Sequence, residues 1–459
     1  MSGRLSRYAK RAASSRFLPH DERERLAEEI EGHLKDSAAA YRTTGLSLRK
    51  SERRALHDFG DSGRIKTDLG RAYRGLRVVI KPEGMADRLS AFLIYDLKIA
   101  VTILALVILL RWQVVSAYHI PTKSMEPTLH GDPADGDKIL VNKLYYHLFS
   151  PERWEVAVFV REGDTRSLIK RIAGLPNETL DIRNGDLYID DEIVRKPWDI
   201  QEELLIPVFK DNRDLLGDLQ GDPREGLDAF DTVGDWTEDR GRYLAAPGED
   251  GQARLEFSRE ISDEYPGGFQ RSDGVQVGDL VLSFTVVPTD GCTAVGAELR
   301  EDEDTFEFRL PVGSSGTALL LRNKEEVARA DGVFLTAGVK TRVRFKNLDD
   351  RVALTVNGAE VLAFDVPNPS HGDSQPVPAV ILGVVDGGAA FKKIEIHRDI
   401  HYRSEGSLPT QIPAGHYFML GDNSGNSADS RTGWTVAEDR LVGRPMFVFW
   451  PWDRAKLIR

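Results

Sequence analysis

An uninterrupted apolar run in the first quarter of the chain constrains the fold more than any other feature. Residues 99–110 carry aliphatic side chains with one Thr among them, and Trp112 to Tyr118 extend the run with no further charge. A bilayer span needs roughly twenty such residues, and Arg111 lies close enough to one end to reach the interface. The sequence predicts a transmembrane helix over 97–118, and a buried helix of a soluble protein is the alternative.

The charge distribution gives this predicted helix a direction. The net charge is −12, yet residues 1–98 hold 21 Lys and Arg against 14 Asp and Glu, whereas the remaining residues hold 40 against 59. Because Lys and Arg are retained on the cytoplasmic side, we expect a single-pass protein of the cytoplasmic membrane. Its N-terminus would be cytoplasmic and its acidic bulk would lie on the outer, periplasmic face. The run begins too deep in the chain for a cleaved signal peptide.

The region before the apolar run is predicted to be helical. A chain of 459 residues exceeds one typical core, so two to four domains are expected. Within residues 1–80, Leu26, Ile30 and Leu34 recur at four-residue spacing and Gly45 follows as a stop, which predicts a small helical cytoplasmic domain. Its basic residues alternate with acidic ones, a pattern that favours a solvated or lipid-facing surface and no nucleic-acid partner.

The region after the apolar run is predicted to be mainly β. Residues 119–200 contain β-rich segments and the hairpin signal Asn184-Gly185, and similar segments resume over 405–459. The 201–404 stretch between them is predicted to be an insertion. Alternation over about 277–400 predicts an antiparallel β-sandwich within it. This sandwich resembles the concanavalin-type jelly rolls found in lectins and glycan-active proteins.

The earlier part of this insertion is less regular. Residues 211–275 are rich in Asp, Gly and Glu and have few long apolar runs, which indicates loops and weak strands.

A candidate nucleophile follows the apolar run directly. Residues 120–130 are Ile-Pro-Thr-Lys-Ser-Met-Glu-Pro-Thr-Leu-His, in which Pro121 and Pro127 keep the backbone extended around Ser124. A serine hydroxyl needs a base to remove its proton. His130 is six residues away, but the sequence marks no carboxylate partner for it, and no Gly-x-Ser-x-Gly elbow surrounds the serine. A Ser-His-Asp triad is therefore not favoured.

Two later segments complete a recognisable pattern. Residues 167–176 are Ser-Leu-Ile-Lys-Arg-Ile-Ala-Gly-Leu-Pro, and residues 421–431 are Gly-Asp-Asn-Ser-Gly-Asn-Ser-Ala-Asp-Ser-Arg. With 120–130, in this order, they resemble the signature boxes of type I signal peptidases, the membrane serine proteases that remove signal peptides from exported proteins. The resemblance implies an antiparallel β catalytic core over 119–200 and 405–459.

The resemblance also implies roles for individual residues. Ser124 falls on the nucleophile and Lys170 on the general base of a Ser-Lys dyad. Thr122 falls on a hydroxyl that helps bind the oxyanion, and Ser427 on a hydroxyl that orients the lysine amine. A free Lys titrates near about 10.4, so burial among apolar neighbours is needed to leave a neutral amine. An exposed strand Lys paired with an acid is the alternative for Lys170.

Further positions of the pattern are supporting or substrate-binding. Asp429 and Arg431 fall on a structural ion pair. The shallow pockets that admit small side chains before the cut, and hence a preference for Ala-x-Ala, would be lined by Met125, Leu129, Leu168 and Ile169. The chain departs from the family at two turns. The family commonly has Gly-Asp at Trp154-Glu155 and Pro-Gly-Asp at Pro176-Asn177-Glu178.

Other chemistries have weaker support in the sequence. No metal-ligand cluster, P-loop or dinucleotide loop is visible, so neither a metal nor a cofactor is expected. His397 and His401 are spaced like ligands, but a strand places such residues on one face as ordinary surface groups. Cys292 is the only cysteine, so no intramolecular disulfide forms, and no nearby His marks it as a catalytic thiol.

The combined interpretation is a membrane-anchored signal peptidase acting on signal-peptide-bearing preproteins, with membrane lipid as a second partner. Self-cleaving SOS repressors share a Ser-Lys arrangement, but they would bring a DNA-binding domain instead of an apolar segment. The alternative from another class is a non-catalytic envelope or glycan-binding protein. In that alternative the sandwich binds a glycan or envelope partner and the peptidase core is a scaffold.

Overall fold

The computed structural model describes residues 3–80, 97–210, 212–215, 222, 224–265, 274–367, 369, 377–404, 406 and 408–458. The chain divides into two compact units, Met1–Arg111 and Trp112–Arg459.

The leading unit begins with four helices: α1 (Gly3–Ala12), α2 (His20–Thr43), α3 (Leu48–Phe59) and α4 (Ser62–Ile80). Ile30 and Leu34 of the predicted stripe are buried against α1, whereas Leu26 is partly exposed. Gly45 follows α2 with a φ of 86°, a left-handed conformation that suits Gly after a helix. The helices predicted in this segment are present.

The apolar run forms a helix that is shorter than predicted. Helix α5 (Leu97–Gln113) has 17 residues, and its described apolar side chains are exposed, with Leu104 at 58%. In the part of the chain that the structure describes, no helix is both long and apolar enough to cross a membrane. The transmembrane helix predicted over 97–118 is therefore not supported. Its last residues instead form a strand, because Val115–His119 pairs with Lys138–Asn142.

The second unit begins with strands that frame the candidate nucleophile. They are β1 (Val115–His119), β2 (Lys138–Asn142), β3 (Val156–Val160) and β4 (Ser167–Gly174), with the short helix α6 (Tyr145–Leu148) after β2. A small hairpin sheet follows, made of β5 (Thr179–Arg183), β6 (Asp186–Ile189) and β7 (Glu192–Ile193), and then helix α7 (Trp198–Leu204). The predicted Asn184-Gly185 turn is confirmed, because both residues have positive φ, 48° and 96°.

The insertion is a two-sheet antiparallel β-sandwich. Its first strands are β8 (Ile206–Lys210), β9 (Arg213–Asp214), β10 (Phe230–Val233), β11 (Asp235–Asp239), β12 (Arg242–Ala246) and β13 (Gln252–Phe257). The stretch that the sequence indicated as loops and weak strands thus contributes strands to both sheets.

The remaining strands of the sandwich are β14 (Leu280–Pro288), β15 (Ala294–Glu301), β16 (Asp304–Pro311), β17 (Thr317–Arg322), β18 (Glu325–Asp331), β19 (Thr341–Leu348), β20 (Arg351–Val356), β21 (Ala359–Asp365), β22 (Val380–Val385) and β23 (Ala389–Arg398). One sheet has the order β10-β13-β22-β15-β16-β17-β18. The other has the order β11-β12-β23-β14-β19-β20-β21, with β8 paired to β23 and β9 paired to β8. Alternate residues of these strands fill one shared apolar core.

After the sandwich, the chain adds further strands to the sheet that contains β1 to β4. The last strands are β24 (Thr410–Gln411), β25 (His416–Leu420), β26 (Val436–Ala437), β27 (Leu441–Trp450) and β28 (Lys456–Leu457). The order of the eight-stranded sheet is β1-β2-β27-β3-β4-β25-β26, with β28 against β27, and β24 joins the small sheet at β5. Because β27 and β25 flank β3 and β4, segments about 250 residues apart in the chain meet at one place.

Candidate active site

Ser124 lies on a tight turn whose backbone is closely covered. It occupies the 3₁₀ turn Lys123–Met125, which follows the extended residue Thr122, and it is 9% exposed. Gly131 folds back onto this turn, where a Cβ would collide with the Thr122 carbonyl oxygen. Only Gly allows this approach, so the turn that presents the hydroxyl is fixed by backbone packing.

Lys170 lies on β4 and reaches the serine. Its Nζ donates a hydrogen bond to Ser124 Oγ at 2.5 Å, and the lysine is 5% exposed. Burial lowers the pKa of Lys170 to about 8, and the nearby carboxylates of Asp429 and Asp422 limit that decrease. The exposed, acid-paired alternative for Lys170 is wrong. A buried amine of this pKa is neutral in a sizeable fraction near pH 7–8 and can accept the serine proton.

Ser427 and Gly421 come from the segment after β25 and meet the turn of Ser124. The Ser427 Oγ is buried and has no hydrogen-bond partner among the described residues. A Cβ on Gly421 would collide with this hydroxyl and with the Ser124 carbonyl oxygen. The glycine therefore lets the segment with Ser427 approach the segment with Ser124.

Asn423 connects these two segments, a role that was not predicted from the sequence. Its backbone N–H donates to the Ser124 carbonyl at 3.2 Å, and its side-chain Nδ2 donates to the Lys123 carbonyl at 3.1 Å. The Gly-Asp-Asn box contained the residue, but only its box membership could have singled it out.

Asp429 and Arg431 form a buried, two-pronged ion pair. Arg431 Nε and Nη2 donate to the two Asp429 carboxylate oxygens at 2.8 and 2.9 Å. Asp429 also accepts from the Gly421 N–H at 3.0 Å, and Arg431 donates to Ser424 Oγ at 2.8 Å. The pair therefore holds the loop that carries Gly421 and Ser427.

A second buried ion pair lies beside the first and was not anticipated. Arg171, which is fully buried, donates from Nε and Nη2 to the Asp422 carboxylate at 2.9 and 2.8 Å. Thr128 donates its hydroxyl to the same carboxylate. This pair ties β4 to the segment after β25 and to the chain just beyond Ser124. A charged residue next to Lys170 in an apolar strand was the available signal.

Thr122 and His130 are two further polar residues close in sequence to the nucleophile. Thr122, two residues before Ser124, is exposed. His130 does have a carboxylate partner, contrary to the expectation from sequence, because its Nδ1 lies 3.1 Å from Glu126 Oε1. No described hydrogen bond joins His130 to Ser124, so the geometry provides no Ser-His-Asp triad.

The four predicted pocket residues do not form one accessible surface. Met125 and Leu129 are fully buried in an apolar cluster, against which Ile169 packs. Leu168 packs against a different cluster, with Phe159. Leu168 and Ile169 are successive strand residues, so their side chains point to opposite faces of the sheet. Leu168 therefore faces away from Ile169, and Met125 and Leu129 belong to the core, while the substrate pocket assigned to these four residues stays a prediction.

Other titratable groups do not extend the site. Burial raises the pKa of Cys292 to about 11, so its thiolate is disfavoured at neutral pH. Burial lowers the pKa of His397 and of His401 to about 4. Within the described ranges, the one group of three or more side chains that could hold a metal ion contains no His and consists of Asp186, Asp279 and Asp349.

The chain is similar in sequence to known peptidases. The family model described as "Signal peptidase, peptidase S26" matches residues 93–217 and 347–450. Signal peptidase I of Bacillus amyloliquefaciens is 32% identical over 103 residues, which are 22% of this chain and 50% of that protein. Probable signal peptidase I-2 of Synechocystis sp. is 34% identical over 103 residues, 21% of this chain and 45% of that protein. The chain thus spans about half the length of these relatives.

Among solved structures, the carbohydrate binding module CBM66 from Bacillus subtilis aligns with 36% of this chain and 93% of its own length. The sequence identity is 14% and the TM-score is 0.27.

Proposed function

Since the chain belongs to the signal peptidase family, peptidase S26, we propose that it is a serine endopeptidase that removes N-terminal signal peptides from exported preproteins. The observation that carries the proposal is the 2.5 Å hydrogen bond between the buried Lys170 amine and Ser124 Oγ. A nucleophile within hydrogen-bond reach of a base whose pKa lies near the working pH is the arrangement that acyl transfer requires.

In the proposed reaction, neutral Lys170 accepts the proton of Ser124 as the hydroxyl oxygen attacks the carbonyl carbon at the cleavage site. The tetrahedral oxyanion is bound by the Ser124 backbone N–H and the Thr122 hydroxyl. Lys170 then returns the proton to the departing amine, which leaves an acyl-enzyme on Ser124. Water activated by the same amine hydrolyses this ester and releases the signal peptide.

Ser427 is proposed to orient the lysine amine. Its buried hydroxyl has no other described partner and lies against Gly421, next to the Ser124 carbonyl. An oxygen there can accept a hydrogen bond from Nζ and aim the nitrogen lone pair at Ser124. The Asp429–Arg431 pair supports this position through the loop without touching the substrate.

The substrate preference and the location are further parts of the proposal. Cleavage after Ala-x-Ala is proposed on the family resemblance, with Ile169 as a pocket residue, because it packs against the cluster that contains Met125, the neighbour of Ser124. Attachment to the cytoplasmic membrane is proposed on the exposed apolar side chains of α5. Signal segments of preproteins lie in that bilayer, which brings substrate and site to one surface.

The non-catalytic alternative, an envelope or glycan-binding protein on a peptidase scaffold, has less support. A scaffold gains nothing from burying a lysine amine, which costs stability, against a serine hydroxyl. A purified chain that binds a glycan and leaves every preprotein intact would favour this alternative.

The test is cleavage of a preprotein ending in Ala-x-Ala, in detergent micelles or liposomes. Wild type should cut after the second small residue, and Ser124→Ala and Lys170→Met should fall to background. Ser167→Ala and Lys456→Met are matched controls. Both residues are exposed, and the two substitutions make the same chemical changes away from the dyad. If Lys170→Met cleaves at the wild-type rate, the assignment of the base is refuted.

A further inference from the structure

The sandwich and the small sheet meet at a group of buried charges that the proposed reaction does not use. Lys196, between β7 and α7, contacts Asp349 in the β19–β20 turn and lies 3.0 Å from Asp399 Oδ2, just after β23. Gln201 of α7 donates to Asp349 Oδ2 at 3.0 Å. The small sheet and α7 therefore supply donors, and the sandwich supplies acids.

The acids at this contact outnumber the bases. Asp186 on β6, Asp279 before β14 and Asp349 each offer one carboxylate oxygen, and these oxygens all lie within 4.8 Å of one another. Glu301 at the end of β15 and Asp399 add two more carboxylates whose charges act on Asp279.

The Lys196 ammonium is the cation that contacts this group of carboxylates, through Asp349 and Asp399. Asp186 is 7% exposed, and its carboxylate lies with those of Asp279 and Asp349.

A separate polar group beside these acids, the amide of Asn347, indicates that the bound species is a cation. Asn347 of β19 is fully buried, and its Nδ2 donates to Glu301 Oε2 at 2.6 Å and to the Gly278 carbonyl at 3.5 Å. Both partners are acceptors, so the orientation of the amide is fixed. Its Oδ1 is buried and has no hydrogen-bond partner in the part of the chain that the structure describes. Asn347 pairs with Leu280, the residue after Asp279, and precedes Asp349 by two positions. A buried amide oxygen without a donor is a suitable ligand for a hard cation.

We propose that Asp186, Asp279 and Asp349 bind a calcium ion, with the Asn347 Oδ1 and Glu301 as additional oxygen ligands. Calcium takes oxygen ligands at about 2.3–2.6 Å, so ligands on opposite sides of the ion are up to about 5 Å apart. Oxygens within 4.8 Å of one another fit this span. Magnesium usually retains several waters, whereas calcium accepts a set of protein oxygens such as this one.

The ion would connect two parts of the second unit. Asp186 belongs to the small sheet, in which β5 from before the insertion pairs with β24 from after it. Asp279 and Asp349 belong to the sandwich. The cation therefore fixes the insertion against the small sheet, and without it mutual repulsion of the acids loosens this contact. The inference does not depend on the proposed peptidase reaction.

The test is equilibrium dialysis of the purified full chain against radioactive Ca²⁺. Wild type should bind one Ca²⁺ per chain, and an excess of Mg²⁺ should not displace it. The double variant Asp186→Asn/Asp279→Asn should lose this binding. The matched control is Asp235→Asn/Asp239→Asn, which makes the same change of charge on the exposed strand β11 and should bind as wild type does.

Thermal unfolding of the same proteins gives a second measurement. With a chelator present, the Asp186→Asn/Asp279→Asn variant should melt at or above the wild-type temperature, because the repulsion is gone. With Ca²⁺, wild type should melt higher than this variant. If the double variant does not fold, Glu301→Gln replaces it and should weaken binding by about 10–100-fold. Absence of Ca²⁺ binding by wild type, or equal binding by the charge-removed variants, would overturn the proposal.

Discussion

The pH dependence of cleavage is the most direct consequence of the buried lysine. If neutral Lys170 is the base that activates Ser124, kcat/KM should rise with pH as the amine loses its proton and should level off above the pKa. The structure gives that pKa as about 8, lowered from 10.5 chiefly by burial. We therefore predict a tenfold change per pH unit below about pH 7 and a plateau above about pH 9.

The size of the effect follows from the two pKa values. With a pKa of about 8, about a tenth of the lysine is neutral at pH 7, whereas a free lysine would be neutral in about 0.03% of molecules. Burial therefore raises the concentration of the active base about 300-fold at pH 7. Between pH 7 and pH 9 the remaining gain is about tenfold, because the neutral fraction rises from about 0.1 to about 0.9.

The assay is the initial rate of cleavage of one preprotein at limiting concentration, from pH 6 to pH 10. Circular dichroism at each pH checks that the enzyme stays folded, and Lys456→Met should give the wild-type profile. An inflection near pH 10.5 would mean that the base is not buried, and a flat profile across pH 6.5–9 would mean that no lysine titrates in the rate-limiting step. Either result would refute the reasoning.

Three further predictions concern single side chains. Because the native pKa of Lys170 lies below its unfolded value, the ionised amine lowers the free energy of unfolding by about 3 kcal/mol below pH 8, and this loss declines as pH rises towards 10.5. Urea unfolding should thus find Lys170→Met more stable than wild type at pH 7, and the difference in unfolding free energy should narrow between pH 8 and 10.5. Thr122→Val should lower kcat about 10²–10³-fold while Thr122→Ser keeps most of it, and equal rates would exclude the oxyanion role. Trp154→Gly should destabilise the chain by about 3 kcal/mol in thermal unfolding, through loss of a buried indole, whereas Asn177→Gly should change stability by less than about 1 kcal/mol.

The mainly β character of the second unit was predictable because its signals are local. Alternating burial along β15 and the Asn357-Gly358 turn, with φ of 50° and 90°, are properties of a few adjacent residues. Strands β10 to β13 were predicted only as part of a stretch of loops and weak strands, for the opposite reason. They are short, and β13 is held as a strand by pairing with β22, more than a hundred residues later.

The predicted end of the apolar helix was wrong for a related reason. Composition alone favoured a helix through Tyr118, since aromatic residues are common at membrane interfaces. The backbone of Val115–His119 instead pairs with Lys138–Asn142, a partner that no local pattern reveals.

The dyad was predictable only through its motif. Ser124 and Lys170 are 46 positions apart, and nothing in the periodicity of either segment indicates a 2.5 Å contact. The supporting contacts show the limit of this approach. The Arg171–Asp422 pair joins positions 251 apart, and both residues lie inside the recognised boxes without a pattern that pairs them.

The two departures from the family pattern are explained by the backbone. Trp154 and Asn177 stand where the family commonly has Gly, and both adopt left-handed φ values, 74° and 71°. Asn tolerates this conformation because its short polar side chain fits there, but a Trp at positive φ carries backbone strain of about 1–2 kcal/mol. Trp154 is 4% exposed in the core around the small sheet, and Lys196 lies 5.7 Å above its ring. Since burying an indole stabilises by more than this strain costs, the chain keeps the glycine geometry and adds a core residue at the edge of the acidic contact with the sandwich.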